Sequence, residues 1–90
     1  MNWSRNWVLE VDPAVHKKLS RMPRDYAERI TAVIGLLPVN PYFGDIEKLK
    51  GEDNAWRRRV GSYRIFYRVL VLSRKILVFK VERRTSGTYR

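Results

Sequence analysis

Six side chains in the C-terminal half of the sequence could act together on a phosphate group. Arg57 and Arg59 lie in AWRRRV, Arg64 in YRIFYRVL, and Arg83, Arg84 and Tyr89 in VERRTSGTYR. Guanidinium groups donate forked hydrogen bonds to phosphate oxygens and stay protonated at any cellular pH. If Gly61-Ser62 is a two-residue hairpin loop, Val60 opposes Tyr63, Arg59 opposes Arg64 and Arg57 opposes Phe66. Alternation then puts Arg57, Arg59, Arg64, Phe66 and Arg68 on one face, and Trp56, Val60, Tyr63, Ile65 and Tyr67 on the other. Like charges directly opposite each other destabilise a sheet. Arg59 against Arg64 therefore suggests a ligand for the charge, although an exposed strand face kept soluble by arginine fits the same pattern. Gly87 would let the tail bend Tyr89 back over this face, and a frayed basic tail fits the same residues.

Arg58 falls on the apolar face, where two readings are open: a place at the sheet margin with its stem buried and its head in water, or a contact with a partner protein. The single histidine, His16, has no histidine or cysteine near it in sequence and reads as a surface or boundary residue.

The whole chain points to a polyanionic or acidic partner. Its 90 residues carry 19 Lys and Arg against 9 Asp and Glu, a formal charge of +10. Such an excess favours nucleic acid or an acidic protein through counterion release. The lack of cysteine excludes disulfides and thiolate metal sites, and one histidine argues against a histidine-built metal centre. No metal or other cofactor is expected. No apolar run approaches the roughly 20 residues of a membrane span, and the start MNWSRNWVLEVDP has no signal-peptide core. The expectation is one cytoplasmic domain over residues 1–90.

The elements that must position these groups are legible in the periodicity. RNWVLEV is rich in strand formers and runs into Asp12-Pro13, an N-cap followed by proline at the first helical position. Val15, Leu19 and Met22 share a helical face; Pro23 restarts the pattern, and Ala27, Ile30, Ile34 and Leu37 continue it until Pro38 and Pro41. PVNPYFGDIEKLKGEDN, residues 38–54, reads as a long connection. From Ala55 the period changes to that of strands, with breaks at Gly61-Ser62 and Ser73-Arg74-Lys75. The fold class is α+β: a strand, a two-helix hairpin and a three-stranded antiparallel meander, with the helices on one face of the sheet.

Residues LKG at 49–51, WRRRVGSYRIFYRV at 56–69 and VFKVERRTSGTYR at 78–90 resemble the RelE/ParE toxin superfamily along essentially the whole chain. The most specific stretch runs from Trp56 through Gly61 and Tyr63-Arg64 to Tyr67. The resemblance implies the family's small α+β fold and a type II toxin–antitoxin toxin of the RelE kind, a ribosome-dependent messenger RNA endonuclease. The scaffold's alternative is the ParE-like inhibition of DNA gyrase, or nucleic-acid binding without catalysis. The family's basic positions fall on Arg57, Arg59, Arg64 and on Arg83 or Arg84, and its terminal tyrosine on Tyr89, all competent for the nuclease branch. Three departures stand out: the position of Arg58 is usually apolar, Glu82 and the insertion-like Ser86-Gly87 leave the register of the last arginine open between Arg83 and Arg84, and lysine is often found where this chain has arginine before the hairpin.

The activity so implied is attack of a ribose 2′-OH on the adjacent phosphorus, leaving a 2′,3′-cyclic phosphate and a free 5′-OH. Arg57, Arg59 and Arg64 would meet the transition-state charge, Arg83 or Arg84 the leaving oxygen, and Tyr89 would orient or accept the 2′-OH proton or stack on a base. Lys48, Lys50, Arg68 and Arg90 are expected to add RNA contacts. The implied partners are the ribosome with its message and an acidic antitoxin, in a possible toxin–antitoxin hetero-oligomer.

Overall fold

A computed structural model describes residues 7–84. β1 (Val8–Val11) leads into α1 (Pro13–Ser20) and α2 (Arg24–Leu36), followed by β2 (Ile46–Lys48), β3 (Ala55–Val60), β4 (Tyr63–Leu70) and β5 (Lys75–Arg83). The sheet order is β1-β5-β4-β3-β2, with β1 parallel to β5 and the other neighbours antiparallel. This is the expected α+β arrangement, with one addition. The sequence 38–54 is not wholly irregular, because Ile46–Lys48 pairs with Arg58–Trp56 as a fifth, edge strand. Three residues are too few to display a period, which is why the pattern does not reveal it.

Local chemistry sets the helix boundaries. The Asp12 side chain accepts a hydrogen bond from the Ala14 amide at 2.8 Å, and Pro13 occupies the first turn of α1, where its missing N–H costs nothing. α2 begins directly after Pro23 and ends short of Pro38. The helices contribute Val15, Ile30 and Ile34 to a core completed by Leu37 and by Val60, Tyr63, Ile65, Tyr67, Val69, Ile76, Val78 and Val81 of the sheet. No helix among the described residues is long and apolar enough to cross a membrane.

Two irregularities position the other face of the sheet. Gly61 opens the two-residue β3–β4 turn at φ 58°, a conformation that suits glycine. In β5, Phe66 pairs with Lys80 but Tyr67 pairs with Val78, so Phe79 is an extra residue. This bulge shifts the alternation by one. Ile76 and Val78 before it and Val81 after it are all buried.

Candidate functional site

The β3–β4 ladder has the register that the hairpin reading predicts: Val60 opposes Tyr63, Arg59 opposes Arg64 and Arg57 opposes Phe66. Arg57, Arg59 and Arg64 therefore emerge from the sheet face away from the helices. Together with Arg84, Asp45 and Glu47 they line a cleft of about 140 Å³. Phe66 is buried on the same face, its ring 6.2 Å from that of Phe79 and covered by the Lys80 ammonium at 5.0 Å.

The bulge at Phe79 separates the two tail arginines. Arg83 pairs with Tyr63, whose side chain belongs to the core face, whereas Glu82 pairs with Arg64. Arg84 follows on the Arg64 side and reaches the cleft. Its amide donates to the Ser62 carbonyl at 2.7 Å, extending the ladder by one residue and fixing the start of the tail beside the hairpin. Arg83 is exposed and does not line the cleft. Tyr89 and Arg90 lie outside the described residues.

The remaining expected RNA-binding residues are not gathered at the cleft. Lys48 pairs with Trp56 and so takes the helix-side face of the sheet, while Glu47 takes the cleft side. Lys50 is exposed in the turn after β2. Arg68 shares the arginine face, but four residues along β4 from Arg64, or roughly 13 Å at the usual strand rise. There it bonds Glu52 at 2.8 Å and Asn54 at 3.2 Å and lies over the Phe79 ring.

Carboxylates are the feature of the cleft that the arginine pattern alone does not reveal. Arg57 is paired with Glu47, Arg59 lies 3.9 Å from Asp45, and Arg64 lies 3.9 Å from Glu82. The opposition of Arg59 and Arg64 is thus compensated within the chain, so it does not by itself demand an external ligand. The signal in the sequence is GDIEK, which places two of only nine acidic residues in one short segment.

Arg58 also departs from expectation. β2 flanks β3, so β3 is no margin, and the Arg58 head is held by protein. It donates to the Phe43 carbonyl at 3.2 Å and to the Arg59 carbonyl at 3.3 Å, and stacks over the Phe43 ring at 4.4 Å. Its guanidinium also occupies the space that a Cβ on Gly44 would need. Beneath the same loop, the buried Tyr67 hydroxyl donates to the Pro41 carbonyl at 2.6 Å. Burial pushes the Tyr67 phenol up to about 12, an effect the nearby Arg58 charge partly offsets.

The molecule is thus a small basic α+β protein, a mixed sheet backed by two helices with a guanidinium-lined cleft on its open face. The sequence matches the family described as "ParE toxin of type II toxin-antitoxin system, parDE" over residues 9–86. It is 34% identical over 85 residues to a protein named as toxin RelE1 from Methanocaldococcus jannaschii, covering 91% of this chain and 93% of that one. Among solved structures, the archaeal RelE–RelB complex from Pyrococcus horikoshii OT3 aligns with a TM-score of 0.79 at 24% identity, covering 90% of this chain and 98% of that one. The RelB–RelE antitoxin–toxin complex from Methanococcus jannaschii aligns at 0.71 with 28% identity, with the same coverage. The isolated E. coli RelE toxin aligns at 0.77 with 17% identity, covering 91% and 88%, and so attests the fold.

The chain belongs to the RelE/ParE family of type II toxin–antitoxin toxins. Its relatives from Methanocaldococcus and Methanococcus jannaschii place it on the RelE side, and the gyrase-directed alternative is not favoured.

Proposed function

We propose that this toxin is a metal-independent endoribonuclease acting on messenger RNA held by the ribosome. The observation carrying this reading is the convergence of Arg57, Arg59, Arg64 and Arg84 on one open cleft. Four forked cations can bind successive phosphates and stabilise the extra negative charge as a 2′-OH attacks phosphorus. The 2′-oxygen–phosphorus bond forms as the phosphorus–5′-oxygen bond breaks, giving a 2′,3′-cyclic phosphate and a 5′-hydroxyl. Arg84, at the tail end of the cleft, is assigned to the leaving oxygen, and Arg83 is not. Tyr89 is assigned to the 2′-OH.

The described cleft side chains are four arginines and two carboxylates, which face Arg57 and Arg59, with no histidine among them. Catalysis then depends on the message being held in reactive geometry, a task suited to the ribosome. An acidic antitoxin covering the arginine face would block this site, in keeping with the RelE–RelB complexes formed by its structural relatives.

The test is induction of the toxin in bacteria beside Arg64→Ala and Tyr89→Phe, with growth followed and messenger 5′ ends mapped. In-frame cleavage that both substitutions abolish is the expected result. Growth arrest with intact messages and damaged DNA would overturn the reading.

A further inference from the structure

The cleft is half-neutralised by its own chain. Four arginines line it with two carboxylates, Asp45 and Glu47, while Glu82 beside it approaches Arg64 and also Lys80, the latter at 3.4 Å. These acids are positioned by the fold. Gly44 turns the chain at φ 84°, Arg58 grips the preceding Phe43 carbonyl, the Asp45 carbonyl accepts from the Arg59 amide at 2.9 Å, and pairing of Glu47 with Arg57 sets the β2 register. The result is an acidic rim along the Arg57–Arg59 side of the cleft.

We infer that Asp45 and Glu47 are specificity-determining residues that act as internal substitutes for phosphate. This rests on the reading of the cleft as an RNA site. In the free toxin they occupy Arg59 and Arg57, so RNA binds by exchanging carboxylate for phosphate. Each exchange trades one anionic partner for another and leaves a carboxylate facing the incoming backbone. Net affinity for a loose strand is therefore low. RNA already held in place on a scaffold loses little further freedom and can make all the exchanges together. Asp45 and Glu47 thereby discriminate positioned message from free RNA.

Binding of a single-stranded 2′-O-methyl RNA oligonucleotide, which cannot be cleaved through its 2′ position, is measured across a salt series. The proteins are wild type, Asp45→Asn, Glu47→Gln and the double variant. Glu28→Gln is the control, since Glu28 also forms an exposed ion pair, with Arg24, but lies on α2. Each cleft substitution should tighten binding roughly two- to fivefold, the scale of one exposed ion pair. The slope of log K against log salt should steepen by about 0.7 for each further phosphate that the freed arginines neutralise. Glu28→Gln should change neither.

Unchanged affinity in both cleft variants, or an equal increase in Glu28→Gln, overturns the inference while leaving the RNA site intact. Absence of RNA binding by wild type and all variants at low salt instead removes the RNA reading itself. Naked RNA cleavage provides the second readout and should rise with binding. Loss of cleavage in Glu47→Gln with binding unchanged would make Glu47 a participant in the chemistry and overturn the exchange role.

Discussion

Arg59 and Arg64 stand directly opposite each other across the β3–β4 ladder, yet each is balanced from a different neighbouring segment: Asp45 before β2 for Arg59, and Glu82 on β5 for Arg64. Partly exposed pairs at 3.9 Å contribute little stability, about 0–1 kcal/mol each, and the facing arginines repel. Arg64→Ala should therefore change unfolding free energy by less than about 1 kcal/mol in a urea titration. Activity should fall by about 100-fold or more, as expected for loss of a preorganised group facing developing charge. A large stability loss with proportionate inactivation would make Arg64 a structural residue.

Arg83 and Arg84 are adjacent in sequence but placed on different sides of the strand. The Phe79 bulge directs Arg84 to the cleft and Arg83 to the Tyr63 side. Arg84→Ala should reduce cleavage of ribosome-held message at least roughly tenfold more than Arg83→Ala, with both variants similarly stable. Equal effects would mean that the tail works as a diffuse basic segment.

Tyr67 ties the Pro41 turn to the centre of the sheet through a buried hydrogen bond. Tyr67→Phe leaves the Pro41 carbonyl without this donor and should cost about 1–2 kcal/mol near pH 7. The phenol is raised from 10.0 to about 12, chiefly because burial disfavours its charged form. Folding thus favours the neutral phenol: its contribution is fully present below pH 10 and is lost as pH rises through 12. The advantage of wild type over Tyr67→Phe should accordingly hold to about pH 10 and close by about pH 12, since two pKa units correspond to at most about 3 kcal/mol. A gap constant to about pH 12 would contradict the buried, unionised state.

Much of this architecture is legible in the sequence because it rests on strong local signals. Asp12-Pro13 marks a helix start, Gly61-Ser62 fixes the hairpin register, and that register alone puts Arg57, Arg59 and Arg64 on one face. What escapes is what depends on distant pairing. β2 is defined by Trp56, Arg57 and Arg58 across the ladder, not by its own three residues. The bulge at Phe79, hidden within a nearly continuous apolar run, decides between Arg83 and Arg84. The acidic partners of the cleft arginines come from the segment before β3 and from β5, separations that no strand period reports.

Gly44 and Arg58 form a matched pair whose coupling can be measured. At φ 84° a side chain at position 44 is strained, and the Arg58 guanidinium fills the place a Cβ would take. Gly44→Ala should destabilise wild type by about 1–2 kcal/mol for the backbone alone, with a further cost for displacing Arg58 from the Phe43 carbonyl and ring. In an Arg58→Ala background the backbone cost remains but the collision does not. A double-mutant cycle should thus give a coupling energy of about 0.5 kcal/mol or more, with the loss in Gly44→Ala smaller when Arg58 is absent. Strictly additive losses would show that backbone conformation alone requires glycine, and that Arg58 does not hold the loop carrying Asp45.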